Sequence, residues 1–234
     1  MPVGRAQVLP TGRAPSRILT RREVFVTGGT GYLGRPLTAE LLRRGHGVRA
    51  LVRPGSERRL SPGVEAVAGN ALDPASFESA IAPSDTLVHL VGTPSPNPSK
   101  AREFELVDLG SIEASVRAAR FGRVKHLIYV SVAQPAPVMK AYIAVRQEGE
   151  RLIRESGLSA TILRPWYVLG PGHRWPYALL PAYGVLRLIP ATRPGAKRLG
   201  LVTLSQMVKT LIEAVENPPS GIQVLEVPEI RSRR

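Results

Sequence analysis

The chain has no cysteine in its 234 residues, so it can form no disulfide, no thiolate metal site and no cysteine nucleophile. Histidine is scarce too. His46, His89, His126 and His173 are scattered without the spacing of a zinc enzyme, and no metal site is expected. Long apolar runs are missing: the nearest, Ala178 to Ile189, is broken by Pro181, Gly184 and Arg187 and falls short of the ~18 to 20 residues a membrane span requires. A soluble, cytoplasmic protein is therefore expected. Acidic residues are in deficit, 18 against 32 Lys and Arg, for a formal charge of +14. An excess of that size raises nucleic acid, anionic lipid or a phosphorylated ligand as partners.

What is present narrows these choices. Residues 1–22 hold Arg5, Arg13, Arg17, Arg21 and Arg22 with no acid, among Gly, Pro, Ser and Thr and without a helical apolar stripe. This reads as a flexible basic tail; it has the composition of an organellar transit peptide but not its amphipathic period. Without those five arginines the body keeps +9 of the +14, spread over several segments and not gathered on one helix. Nucleic acid is accordingly not expected as a partner. With 43% hydrophobic residues, the chain can bury a sizeable core.

From Glu23 onward, short β-branched runs alternate with helical patterns. Strands are expected at Val24 to Thr27, Val48 to Val52, Val64 to Ala68, Thr86 to Val91, Val124 to Val130 and Ala160 to Leu163. Helices are expected at Leu33 to Arg44, from the Asp73-Pro74 cap to Ile81, at Arg102 to Arg120 and at Val138 to Ser156. The alternation specifies βαβ crossovers and a doubly wound, Rossmann-like α/β fold with a parallel sheet, occupying residues 23–234. Beyond Arg164 the pattern weakens. An apolar, broken helix is expected at Trp175 to Leu188, a loop at Pro190 to Gly195, a helix at Leu204 to Glu216 and a last strand at Ile222 to Val227.

The first strand runs straight into Thr27-Gly28-Gly29-Thr30-Gly31-Tyr32-Leu33-Gly34. Glycines at three-residue spacing permit a tight turn and close backbone approach, and the following helix N-terminus offers N–H groups to a pyrophosphate. The string is weak alone and gains its meaning from its place after the first strand. At the tip of the second strand stands Arg53, with no acid before Glu57. A cation there suits a ribose 2′-phosphate, whereas an acid would suit the 2′-hydroxyl, so NADP(H) is favoured over NAD(H). Arg35, directly after the last glycine, can reach the same phosphate. Either arginine is also consistent with a solvated surface charge.

These features, with the stretches VFVTGGTGYLGRPL, ALVRPGSE, GNALDP, LVHLVG, HLIYVSVA and YIAVRQEGERLIRESGLSATILRPWYVLGPG, resemble the atypical and extended short-chain dehydrogenase/reductases, a group that includes NmrA-like proteins and nucleoside-diphosphate-sugar epimerases. The likeness covers about residues 23–173. It implies a dinucleotide cofactor contacted by Gly28, Thr30, Gly31, Tyr32, Leu33 and Gly34, with Asn70 and Leu72 beside the adenine. Val91, Gly92 and Thr93 would line the cofactor, and the segment from Pro165 would face the nicotinamide. It also implies a serine after the fifth strand that orients a carbonyl or hydroxyl, and a tyrosine four residues before a lysine that exchanges a proton. Ser131 and Tyr142 match the first two positions, but the residue four beyond Tyr142 is Arg146.

Arginine can supply a cationic field and donate to ribose hydroxyls, yet its planar head sits differently from an ammonium and it cannot join a proton relay. An i,i+4 surface pair between Arg146 and Glu150 is an equally simple use for it. Extended family members carry a larger substrate domain than the residues after Gly172 provide, so a small or open pocket is expected, with residues 173–200 on its substrate side. His173, Trp175, Tyr177 and Tyr183 are its expected wall, suited to a quinone or other apolar carbonyl compound, although core or subunit contact would equally employ them. Two readings stay open: an NADPH-dependent oxidoreductase or epimerase-like enzyme, and a cofactor-binding redox sensor or accessory subunit without turnover.

Overall fold

The computed structural model describes residues 20–172, 190 and 193–233. Its frame is a seven-stranded parallel sheet built from β1 (Glu23–Thr27), β2 (Gly47–Val52), β3 (Glu65–Ala68), β4 (Thr86–His89), β5 (His126–Val130), β6 (Ser159–Leu163) and β9 (Ile222–Leu225), in the order β3-β2-β1-β4-β5-β6-β9. The order reverses between β1 and β4, which places a crevice over their carboxyl ends, where ligands bind in open α/β sheets.

The inner strands β1, β4, β5 and β6 read as near-continuous apolar runs because both faces are covered, whereas the edge strands β3 and β9 are largely exposed. Val24 and Val26 face one layer with Leu37, Leu41, Leu211 and Ile212. Phe25 faces the other with Phe77, Ile112, Ala118 and Ile153. Phe25 and Phe77 stack with centroids 6.1 Å apart and neither is exposed; burying a side chain of that size contributes about 1.5 to 3 kcal/mol. The first layer is supplied by α1 (Gly34–Arg43), α6 (Leu204–Glu216) and α7 (Val227–Ser232), the second by α3 (Gly110–Phe121) and α4 (Lys140–Glu155). Helix α6 begins with a capping box in which Thr203 and Gln206 satisfy each other's backbone N–H groups.

The expected long helix over 102–120 is present with an internal irregularity: α2 (Ala101–Glu103) passes through a π-helical segment, Phe104–Leu109, into α3. The helix expected from Val138 starts at Lys140, because Met139 adopts a left-handed φ of 61°. Between Asp73 and Ile81 the chain forms two 3₁₀ turns, Pro74–Ser76 and Glu78–Ala80, and Asp73 accepts a hydrogen bond from the Ala75 N–H as its sequence position implied.

Three elements were not foreseen. Strands β7 (Tyr167–Leu169) and β8 (Leu201–Thr203) pair in parallel beside the main sheet, and α7 follows β9. The loop expected at Pro190 to Gly195 is corrected in part, since Arg193–Arg198 forms helix α5; Pro194 falls in its first turn, where the missing N–H costs nothing. The helix expected at Trp175 to Leu188 and most of the basic tail lie outside the described residues. At the tail's end, Arg22 donates its N–H to His46 Nδ1 at 3.1 Å and accepts from Gly47 at 2.9 Å.

Candidate functional site

The glycine turn occupies the crevice as its spacing predicts. Gly28 has φ +79° and lies so close to β4's continuation that a Cβ would stand 2.9 Å from the Leu90 carbonyl. A Cβ on Gly34 would strike the Gly28 carbonyl oxygen and approach Gly29 Cα to 2.7 Å. The Gly31 N–H donates to Gly28 O at 3.0 Å, and the Arg35 N–H to Gly31 O at 3.1 Å, so helical bonding starts inside the turn. The Leu37 N–H likewise donates to Leu33 O at 3.1 Å and Pro36 has none, so the backbone available to a phosphate is that of the glycine turn ahead of α1. Side chains would fill this cradle, so the residues present fit a dinucleotide pyrophosphate. Thr30 is half-buried and Gly31 exposed, while the Tyr32 hydroxyl reaches Gly170 at the end of β7.

The rim beside the turn is basic. Leu60 approaches Gly29 and Ser61 Oγ donates to Arg35 O at 3.1 Å, so the segment after β2 lies along the start of α1. Arg53 and Arg35 are exposed, and neither forms an ion pair among the described residues. Beyond β3, Asn70 Oδ1 accepts from the Leu72 N–H at 3.1 Å. Leu72 is 45% exposed and leans toward Gly110 at the start of α3.

From the cradle, the chain Leu90-Val91-Gly92-Thr93 leads to the second part of the site. Gly92 is the contact point: a Cβ there would strike Arg146 Nη2 and stand 3.0 Å from Asp108 Oδ1. Arg146 is only 5% exposed. Its Nη2 pairs with Asp108 Oδ1, and its Nη1 donates to the Val130 carbonyl at 3.0 Å and to the Tyr129 hydroxyl at 3.4 Å. Asp108, inside the π-helical segment, is fully buried and also accepts from the Thr93 N–H at 3.0 Å and hydroxyl at 2.6 Å. The guanidinium lies 5.1 Å from the Tyr142 ring centroid, and the Phe104 ring, from the same π-helical segment, packs against Tyr142 at 4.9 Å. Burial acts to lower the Arg146 pKa, but the fields of Tyr142, Tyr129 and Asp108 prevail and raise it, so this side chain is a permanent cation.

Ser131 follows β5 and is buried, but its hydroxyl donates to Glu150 Oε1 at 2.7 Å. Glu150 also receives Gln134 at 2.9 Å, Arg154 at 3.1 Å and a fork from Arg164, at 2.9 and 2.6 Å. Burial would push this carboxyl upward; the hydrogen bonds from Arg164 and Ser131 overcome that and hold it below its ordinary range. The surface pair considered between Arg146 and Glu150 is therefore not formed. Arg146 turns toward Gly92 and Asp108, while Glu150, one turn on, is drawn to Arg164 at the end of β6. Pro165, next in the chain, accepts the Ala133 N–H at 2.8 Å, tying the segment after β6 to that after β5.

Beneath Arg146, His89 is fully buried and shares Nδ1 with Thr27 Oγ1 at 3.0 Å and Ser115 Oγ at 2.9 Å. Burial, then the Arg146 charge, lowers its pKa to about 3, so it stays neutral. Thus Tyr142, Arg146, Val91, Gly92 and Thr93 come together, and Ser131 sits in the adjoining Glu150 network. Asp108, Phe104 and Glu150 were missed as site residues; an acid set among Leu106, Val107 and Leu109 was the sequence signal for Asp108. His173, Trp175, Tyr177 and Tyr183 lie outside the described residues. Among the described residues no acid or histidine cluster could hold a metal ion, and no helix is long and apolar enough to cross a membrane.

A Rossmann-like sheet with a glycine cradle at its switch point, and a tyrosine and a cation on helix α4, is the architecture of a dinucleotide-binding protein. The chain belongs to the NAD(P)H-binding family whose model matches residues 28–176. It is similar to a ceramide reductase of Caulobacter vibrioides, with 26% identity over 90% of this chain and 66% of that protein. It also resembles a 4-hydroxy-2-methyl-3-oxo-4-farnesyl-3,4-dihydroquinoline-1-oxide ketoreductase of Stigmatella aurantiaca, with 28% identity over 62% of this chain and 50% of the relative. The chain thus spans between half and two thirds of these curated relatives. Among solved structures, the Bordetella bronchiseptica enzyme WbmH in complex with NAD+ superposes with a TM-score of 0.66, 22% identity, and coverage of 88% of this chain and 75% of that one. The Thermus thermophilus UDP-glucose 4-epimerase complex with NAD gives 0.64, 17%, 90% and 81%. At these identities the structural likeness speaks for the fold, which agrees with the resemblance read from the sequence.

Proposed function

We propose that the chain is an NADPH-dependent reductase of an apolar ketone or quinone, with Tyr142 as the proton donor. The observation that carries this reading is the half-buried Tyr142, wedged between Phe104 and the Arg146 guanidinium in the crevice that continues from the glycine cradle. Bound there, the nicotinamide would supply a hydride to the carbonyl carbon. Tyr142 gives its phenolic proton to the carbonyl oxygen, and the fixed charge of Arg146 favours the phenolate that remains. Ser131 would orient the oxygen from the β5 side once its hydroxyl turns from Glu150. Exposed Arg53 and Arg35 at the cradle's rim would receive the 2′-phosphate, which supports NADPH over NADH. An apolar substrate accords with the lipid-like substrates in the names of the two reductases cited above.

Steady-state NADPH oxidation with menadione and acetophenone tests the reading. Tyr142→Phe should lose about a hundredfold in kcat while NADPH still binds; undiminished activity in that variant would remove Tyr142 from the chemistry. A second reading, a redox sensor that binds the cofactor without turnover, is favoured by the hydrogen bond that directs the Ser131 hydroxyl to Glu150. Tight NADPH binding with no hydride transfer to either acceptor would decide for it.

A further inference from the structure

Arginine at position 146 poses a spatial problem. Its head is larger than an ammonium and planar, and a guanidinium in the interior needs a counter-charge and several acceptors. Three neighbours answer these needs for the two Nη groups, while the buried Nε has no hydrogen-bond partner. Asp108 supplies the charge, Val130 supplies a carbonyl acceptor at 3.0 Å, and the missing side chain of Gly92 supplies the room. Asp108 is in turn held by two hydrogen bonds from Thr93, at 3.0 and 2.6 Å. It enters the site from the π-helical segment, whose Phe104 also packs on the Tyr142 ring. One helical irregularity therefore sets both the anchor of the cation and the wall of the phenol, in keeping with the frequent use of π turns at functional sites.

We infer that Asp108 is a positioning residue: through its ion pair with Arg146, in the space left by Gly92, it fixes the guanidinium over the face of Tyr142 and turns the donors away from the crevice. The inference rests on the catalytic reading of Tyr142 for its functional consequence, although the positioning itself does not depend on turnover. It follows that Arg146 acts on Tyr142 through its field, and that its Nη2 is committed to Asp108. The ribose of the cofactor would then find its partners elsewhere on the crevice wall.

The test combines nitrogen-labelled arginine NMR with kinetics on the full chain. In the unaltered protein, Arg146 should show separate, slowly rotating Nη signals; a single averaged signal would overturn the inference even if Tyr142→Phe is inactive. Asp108→Asn should average those signals, lower kcat with menadione about tenfold or more and move its pH profile. In an Arg146→Met background the same Asp108→Asn change should add nothing, and an equal further loss there would show that Asp108 acts independently of Arg146. Should Asp108→Asn fail to fold, Gly92→Ala tests the same point without touching charge. Its Cβ displaces the Arg146 head, so altered Arg146 signals are expected; signals identical to the unaltered protein's would contradict the packing. If Tyr142→Phe remains active, the kinetic arm loses its meaning while the NMR arm still decides whether Asp108 positions Arg146.

Discussion

Two groups of arginines divide the molecule. Those beside the glycine cradle, Arg35 and Arg53, stand exposed without a carboxylate among the described residues. Those on the far side of the crevice, Arg146 and Arg164, are sunk into the structure and committed to Asp108, Glu150 and Glu226. The first group contributes a field to solvent and can meet an anionic ligand with little desolvation. The second contributes rigidity, because each cation and its acid must stay paired once water is removed. The opening charge of +14 is thus a sum over residues with opposite physical duties.

The sharpest way to break this contrast is to remove the buried acid that holds Arg164. Glu150→Ala should destabilise the protein by about 3 to 5 kcal/mol, because Arg164 and the Ser131 hydroxyl lose their acceptor; urea unfolding reads the change. The same carboxyl carries a pH signature. Its folded pKa lies below the ordinary value of 4.5, so its contribution is present above that value and fades as falling pH protonates the folded form. The acid arm of the stability curve should therefore be flatter in Glu150→Gln than in the unaltered protein, as measured by urea midpoints at successive pH values.

At the exposed rim the expectation reverses. Arg53→Ser should weaken NADPH binding about tenfold or more, in line with one charge-assisted phosphate contact of about 1.5 to 3 kcal/mol. NADH binding and the urea midpoint should be unaltered; a parallel loss for NADH would show that Arg53 does not read the 2′-phosphate. The smallest effect is expected on α4 itself. Arg151 pairs with Glu148 and Glu155 on the outer surface, and Arg151→Gln should leave both the urea midpoint and kcat unchanged. A measurable loss there would erase the distinction between buried and exposed arginines on one helix.

The sheet was legible because its inner strands are buried on both faces and so appear as short apolar runs, with glycine and proline marking the joints. The cradle was legible for a related reason: backbone approach at Gly28 and Gly34 admits no side chain, and that demand is written directly as glycine. Strands β7 and β8 were not legible. They span three residues each, too few for a period to show. Asp108 was hidden differently. It meets Arg146 across 38 residues, and it faces inward from a π-helical turn that departs from the regular helical period. The Tyr142–Arg146 spacing could be read from the chain, but not the direction in which Arg146 points, since that is decided by room at Gly92.

The placement of β1 between β2 and β4 has a consequence for how the molecule comes into being. Thr27 meets His89 in the finished sheet across 62 residues, and Ala160 likewise waits for Ile222 on the last strand. Parallel partners so far apart must close long loops before their contacts reward them, which slows folding relative to locally paired chains. During synthesis β1 can pair with β2 early, yet its other edge stays open until β4 has been made. The cradle, whose Gly28 rests against Leu90, acquires its shape only at that moment.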